Sequence, residues 1–524
     1  MHLIYALTAM VSLLSGVIAR VDAWVDLGID INQPMEAGDN FFDDFVSDPF
    51  RAKRKDGSEG LEEFTPISAT IGQSEIQYFS FNVNTSSGIG SYYEYLIFIT
   101  GNICSQPANL TEDDPSLTVY YSFNGSMFQN LELGDMDYFS SGYFQALADV
   151  PATSNVNAVL YIAVQAPENT DASAVWSYEM GVSQNDLVFQ WDDRSWASLV
   201  DTDEISALIV TGNLSDSSGF DSSDYNISHS RYSLFIYSHQ YKDYFRVLNN
   251  SWCAIRSGPA LFSSDSDPDL FESSFTTRGG GWQQQFYVGG LNKSTQYIAY
   301  LISDFSGRDF GGAVYQPFEF KTMDSGACNL IYDLDFCDQV AYSVPNSDAY
   351  SKEELKSLFD DRARSLYANF SRVMQQIPCD ESDVSAFSPF RTCDDCADSY
   401  KNWLCAVTIP RCSTRNITGY RETEPGDSRN SWINDVLDPD LMYYEMLPCL
   451  NVCEAIVRDC PAELGFGCPN FNRTVLSYYW EDPDEEYPTC NFVGKTATTK
   501  SAAPPRYLVN YALAFATVLV LALL

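Results

Sequence analysis

The spacing of the cysteines constrains this chain more than any other feature. Cys379, Cys393, Cys396, Cys405 and Cys412 crowd one short stretch, and Cys449, Cys453, Cys460, Cys468 and Cys490 follow. With Cys328 and Cys337 they put twelve of the 14 cysteines between residues 328 and 490. An even, clustered set in a secreted chain reads as a disulfide framework whose connectivity spacing alone does not give. The rival reading is a zinc site built from Cys393, Cys396, Cys405 and Cys412. It fits less well, because six residues separate the second pair and no histidine lies nearby. Cys104 and Cys253 stand apart. They either pair across the chain or stay free, and only distance decides.

The secreted compartment is read from both ends and from the surface. Residues 1–23 carry an apolar stretch with small residues near its end, which reads as a signal peptide cut after Ala19 or Ala23. Ten glycosylation sequons follow, at Asn84, Asn109, Asn124, Asn213, Asn226, Asn249, Asn292, Asn369, Asn416 and Asn472. The apolar tail 507–524 comes after a polar, small-residue linker, 495–506. That order matches a glycosylphosphatidylinositol attachment signal; a retained single membrane helix is the alternative. The net charge of −41, from 71 acidic and 30 basic residues, excludes nucleic acid as a partner, since phosphates demand Lys and Arg.

Between these ends the pattern changes twice. After a mixed lead-in (24–64), residues 65–183 alternate short Ile/Val/Tyr/Phe-rich runs with Gly, Pro, Asn and Ser, as a β-sandwich requires. Residues 184–324 repeat the pattern. Leu96–Ile103 (LIFITGNI) matches Ala207–Leu214 (ALIVTGNL), Tyr161–Ala163 matches Tyr297–Ala299, and Ala174–Trp176 matches Ala313–Tyr315. Two tandem, related β-sandwich domains are therefore expected. From 325 to 494 the reading is helical. Ser351 to Glu354 form a capping box, and Leu355, Leu358, Phe359, Leu366, Phe370, Val373 and Ile377 recur at helical spacing up to Pro378. Cys449, Cys453 and Cys460 suit one face of a further helix. The expected fold class is thus multidomain β plus α: two β-sandwiches, then a disulfide-rich, mainly helical domain.

Catalytic chemistry finds little support. Of three histidines, His2 lies in the signal peptide, which leaves His229 and His239. There is no G-x-S-x-G and no H-E-x-x-H. The acidic triplet Asp265, Asp267 and Asp269 lacks the Gly and Glu of a calcium loop, and the run 481–486 reads as solvated surface. No catalytic residue, metal or cofactor is expected.

The strings A-C-N-L (327–330), F-C-x-x-V-A-Y-S-V-P (336–345), R-T-C-D-D-C-A-D-S-Y-K-N-W-L-C-A-V-T-I-P-R-C (391–412), L-P-C-L-N-V-C-E-A-I-V-R-D-C-P (447–461) and F-G-C-P (466–469) resemble the fungal stretch-activated calcium-channel components, the mating-induced-death protein family. The resemblance implies a plasma-membrane glycoprotein acting as regulatory subunit of a four-repeat, voltage-gated-type calcium channel. It implies calcium entry in pheromone, stress or stretch responses, passage through the endoplasmic reticulum, and a cysteine-rich domain similar to frizzled domains. Away from the two ends there is no apolar run of ~20 residues, so a docked extracellular subunit is expected rather than a pore built from this chain. The other reading is a lipid-anchored surface protein that binds a ligand through the frizzled-like domain and has no channel partner. Serine at Cys393 or Cys405 is expected to unfold the cysteine-rich domain.

Overall fold

Side-chain alternation builds the strands. In Tyr143–Asp149, Phe144, Ala146 and Ala148 face the core while Gln145 and Asp149 face solvent. The computed structural model describes residues 58–494 except 84–95, 108–109, 112–113, 151–157, 169–172, 217–231, 259–261, 265–266, 268, 306–310, 378, 380–386, 389, 471–475, 483–484 and 486. Across them the protein is mostly β-sheet, with few helices and seven disulfides.

Four larger sheets carry the N-terminal part. One has the order Ile67–Gly72, Val175–Ser183, Leu96–Ser105, Tyr143–Asp149. The next runs Glu59–Leu61, Ile76–Asn82, Val159–Gln165, Thr118–Ser122, Asp135–Tyr138. The third places Ala197–Thr202, Ala207–Thr211, Gly281–Val288 and Ser215–Asp216 in order, with Phe271–Thr276 also on Gly281–Val288. The fourth holds Phe189–Asp192, Gly312–Tyr315, Gln296–Asp304, Tyr232–Ser238 and Phe262–Ser263, with Phe318–Lys321 also on Gln296–Asp304. No Lys, Arg or His lies between Lys55 and Arg194, so the first two sheets hold together without an ion pair of their own. Burial supplies that cohesion.

The repeat seen in the sequence holds in part. Leu96–Ser105 neighbours Tyr143–Asp149 as Ala207–Thr211 neighbours Gly281–Val288, and Val159–Gln165 neighbours Thr118–Ser122 as Gln296–Asp304 neighbours Tyr232–Ser238. The third match fails. Val175–Ser183 lies beside Leu96–Ser105, whereas Gly312–Tyr315 lies in the other sheet, beside Gln296–Asp304. The place beside Ala207–Thr211 is filled from upstream, by Ala197–Thr202. A three-residue apolar word fits any buried strand, which is why it misled.

The apolar core does not divide at residue 184. A single cluster takes Ile97 and Val182 from the first sheet, Leu160 and Ile162 from the second, and Tyr237, Tyr300 and Ile302 from the fourth. Helix α1 (Trp252–Ser257) is wedged into it. Ser251 Oγ donates to the Ile103 carbonyl at 2.7 Å, Trp252 N donates to Asn102 Oδ1 at 3.1 Å, and Cys253 is bonded to Cys104. The two isolated cysteines therefore pair.

The C-terminal part contains α2 (Lys352–Met374), α3 (Cys393–Thr408) and α4 (Leu450–Asp459), together with a two-stranded and a three-stranded sheet. Capping boxes start α2 at Ser351/Glu354 and α3 at Thr392/Asp395. Leu355, Phe359, Ala363 and Phe370 are the buried stripe of α2. Val373, expected in that stripe, is exposed. The helix stops at Met374, before Pro378, which lies outside the described residues.

This part is bolted to the third sheet. The Cys328–Ile331/Tyr342–Pro345 hairpin buries Leu330, with Ala341 beside it, against Val200, Leu208 and Val210. A register shift between Leu199 and Asp201 marks a bulge in the Ala197–Thr202 strand. At that bulge Asp201 Oδ2 accepts from Arg411 Nε at 2.9 Å and from Ser343 N at 3.2 Å. Asp203 Oδ2 accepts from Leu330 N at 3.1 Å, and Ser343 Oγ donates to the Thr202 carbonyl at 2.7 Å. At the other end of the seam Gln285 Nε2 donates to both oxygens of Asp333, and Arg278 Nη2 donates to Gln285 Oε1 at 2.9 Å. Burial pulls the Arg278 guanidinium down to about 10. Lys352 Nζ lies 3.9 Å from the centre of the Tyr287 ring.

The Arg411 and Asp201 side chains are 7% and 14% exposed, so removing one partner strands a desolvated charge. Asp201→Leu or Arg411→Met alone should cost ~3–5 kcal/mol, read as a lowered thermal midpoint of the secreted protein. The double variant, with no charge left to strand, should recover most of that loss.

Candidate interaction site

Every sequence-flagged cysteine is in a disulfide: Cys328–Cys412, Cys337–Cys405, Cys379–Cys393, Cys396–Cys460, Cys449–Cys490 and Cys453–Cys468. The four cysteines of the rival zinc reading go to four different partners, so no thiolate is left to bind metal. The one close cysteine–carboxylate group among the described residues, Cys104, Glu179 and Cys253, is disarmed in the same way. Cys449, Cys453 and Cys460 do not share a helix face. Cys449 caps the start of α4 and Cys460 its end, which sends the three bonds to residues 490, 468 and 396.

These bonds tie α3 to Cys337 ahead of α2 and to Cys460 at the end of α4, and α2, which carries no cysteine, packs with them around two apolar clusters. The first packs Leu355, Phe359, Cys337, Cys405 and Ile409. The second stacks Phe370 on Tyr400, with ring centres 3.7 Å apart, and adds Phe466 at 5.7 Å from Tyr400. Asp459 fastens the same region. It accepts from Ser399 Oγ at 2.6 Å and pairs with Arg458 Nε at 2.7 Å and Arg391 Nε at 3.0 Å. The Arg458 hydrogen bond, helped by Ser399 and Arg391, holds its carboxyl below the ordinary aspartate value. This anchor therefore weakens only as pH falls below that range.

The other flagged residues are dispersed. Asn124, Asn213, Asn292, Asn369 and Asn416 are exposed. Asn249 is half-buried, its Oδ1 accepting from the buried Tyr300 hydroxyl at 2.6 Å. Asn84, Asn109, Asn226 and Asn472 lie outside the described residues, as do His2, His229, Asp265 and the tail 507–524. His239 sits 3.2 Å from Glu319, which also pairs with Lys242, so it belongs to a surface ion-pair group. Asp267 Oδ2 accepts from Ser263 N within its own turn. No described helix is long and apolar enough to cross a membrane. Sequence reading missed the Asp201–Arg411 seam; its one signal was Arg411 inside the P-R-C string.

The two disulfides singled out in the sequence are not equivalent. Cys337 and Cys405 are both buried in the first cluster and close a loop of 68 residues. Cys379 is exposed, Cys393 is half-buried, and they close a loop of 14. Loop closure alone assigns about 4 kcal/mol to the first and about 3 to the second. The first also fills the core. Cys405→Ser should abolish secretion of folded protein, whereas Cys393→Ser should leave a folded, secreted protein with a lower thermal midpoint, read by differential scanning fluorimetry. Glycopeptide mass spectrometry should find glycan at Asn124, Asn213, Asn292, Asn369 and Asn416 and bare amide at Asn249.

Comparison with known proteins gives the family. The family model described as a stretch-activated Ca2+-permeable channel component, Mid1, matches residues 96–496. The chain is 37% identical over 492 residues to the stretch-activated cation channel MID1 of Saccharomyces cerevisiae, spanning 84% of this chain and 88% of that one. It is 33% identical over 356 residues to the stretch-activated cation channel yam8 of Schizosaccharomyces pombe, spanning 67% and 71%. Among solved structures, the glycoside hydrolase domain of Endo-D from Streptococcus pneumoniae R6 aligns at 9% identity over 49% of this chain and 33% of that one. Its TM-score of 0.18 carries no statement about fold or activity. The long cysteine-bearing strings and the extent of both yeast matches lead to one assignment: this chain belongs to the Mid1 family of stretch-activated Ca2+-permeable channel components, which is not an enzyme family.

Proposed function

We propose that this protein is the extracellular regulatory subunit of a four-repeat, voltage-gated-type calcium channel in the plasma membrane, promoting calcium influx under pheromone, stress or stretch. The observation that carries the reading is the seam between the third sheet and the disulfide-stapled helices. It makes the cysteine-rich part a stiff platform, and a stiff platform loses little freedom on docking. A docked subunit alters gating or trafficking only if it binds the partner's states with different affinity. The domain layout that goes with this reading is two β-sandwiches, 65–183 and 184–324, that share one apolar core, and a frizzled-like cysteine-rich domain, 325–494. The signal peptide, the glycans and the C-terminal anchor, as lipid or as helix, complete an outward-facing protein that matures through the endoplasmic reticulum.

Gentle detergent extraction of the tagged protein from its own membranes, followed by mass spectrometry, tests the proposal. A large four-repeat cation channel should co-purify in near-equal amount. Its absence from a preparation that is folded and glycosylated would sink the proposal and favour an autonomous surface protein. In cells lacking the endogenous protein, Cys405→Ser should fail to restore calcium uptake, because the platform does not form.

A further inference from the structure

Three helix ends converge at one pole of the stapled part. Met374, closing α2, brings its sulfur to 3.9 Å from Cys396 Sγ in the first turn of α3. Cys396 is bonded to Cys460, just past the end of α4. Arg391, just ahead of α3, pairs with Asp459 at the end of α4. Next to these anchors in the chain stand three apolar residues that the core does not use. Val373 is 41% exposed, Val457 47% and Phe390 88%. Phe390 is the most exposed large apolar side chain among the described residues.

A scattered exposed apolar residue is ordinary. Here each of the three stands within two residues of one of those mutually contacting anchors, and the backbone beneath the phenyl ring is held. Phe390 N and Arg391 N both donate to Ser388 Oγ, at 3.2 and 3.1 Å. The Thr392/Asp395 capping box and the Cys379–Cys393 bond fix the residues that follow. A ring displayed on fixed backbone resembles the aromatic anchors that dominate protein interfaces, and the backbone part of its ordering cost is already met.

The rim chooses the occupant. Asp394 and Asp398 are exposed in the first two turns of α3, Glu454 in the middle of α4 and Glu463 just beyond its end. Arg391 and Arg458 share the one Asp459 carboxylate, which leaves a single positive charge there, and Arg372 adds another at the end of α2, against these four exposed carboxylates. Burial, together with Asp394, Asp338 and Asp395, raises the Asp398 carboxyl against the pull of Lys401. The pole is acidic around an apolar centre, so an anionic lipid surface is repelled and a basic protein surface attracted.

We infer that this pole is the docking face, and that the partner is a protein with an apolar pocket for the Phe390 ring, rimmed by Lys or Arg. The inference rests on the regulatory-subunit reading and gives it a location. It is tested by the same co-purification, on the full-length protein in its own membranes, with Phe390→Lys set beside Leu441→Lys. Leu441 is 47% exposed and lies ahead of the Tyr443–Met446 strand. Phe390→Lys should recover the channel roughly tenfold less or worse, with the thermal midpoint and all seven disulfides unchanged. Leu441→Lys should recover it like wild type. Reversing Asp394 and Asp398 together to Lys, which spares the ring, should also lower recovery.

Wild-type recovery by Phe390→Lys overturns this inference and leaves the subunit reading standing. No channel with the wild-type protein overturns both. An early thermal transition in Phe390→Lys also overturns it, because the ring would then be core. Binding of wild type to phosphatidylcholine vesicles that Phe390→Lys abolishes, with channel recovery intact, would assign the face to lipid instead.

Discussion

The largely buried Asp201 carboxylate joins the third sheet to the cysteine-rich part of the chain. A strand bulge aims it out of the third sheet, where it takes the Arg411 guanidinium and the Ser343 amide together. Ion pairs of this kind add little net stability over an apolar replacement, but the two directed hydrogen bonds that Asp201 accepts, from Arg411 and Ser343, favour one relative placement. The seam therefore sets the relative orientation of sheet and helices more than it strengthens either. The apolar contact of Leu330 with Val200 and Leu208 supplies adhesion, and the charged contact supplies register.

The same division of labour runs through the molecule. The first two sheets lie in a stretch devoid of cations and are held by a core of Ile, Val, Leu and aromatic side chains. The cysteine-rich part has smaller clusters and adds covalent bonds. Three ion pairs with a largely buried member orient one element on another: Asp201 with Arg411, Asp459 with Arg391, and Glu445 with Arg429. For a channel component this leaves the third sheet joined to the disulfide-bonded helices by both apolar and charged contacts.

Much of this was legible in the sequence. The strands near residues 96, 118, 159 and 175 lie where β-branched and aromatic residues gather. Ser351 with Glu354 signalled the start of α2, because a capping box is a local event. What was hidden depends on distance. Spacing cannot say that Cys449 reaches Cys490 while Cys453 reaches Cys468. Asp201 and Asp203 look like any of 71 acids until a bulge turns one of them inward. Phe390 reads as core by residue type and is found in solvent, and Val373 keeps helical phase with the core yet lies beyond its edge.

The Cys104–Cys253 bond carries a consequence for synthesis. Its partners are 149 residues apart. A ribosome adding ~5–20 residues per second needs roughly 7–30 s to make the second cysteine after the first. The last strand of the first two sheets ends at Ser183, part-way through that interval, and from then until Cys253 is made α1 and most of the fourth sheet, which seal their shared core, do not exist. The emerging chain therefore waits with an open apolar face and an unpaired thiol. Holdases and thiol isomerases would find their longest opportunity there, well before any cysteine of the C-terminal framework has been translated.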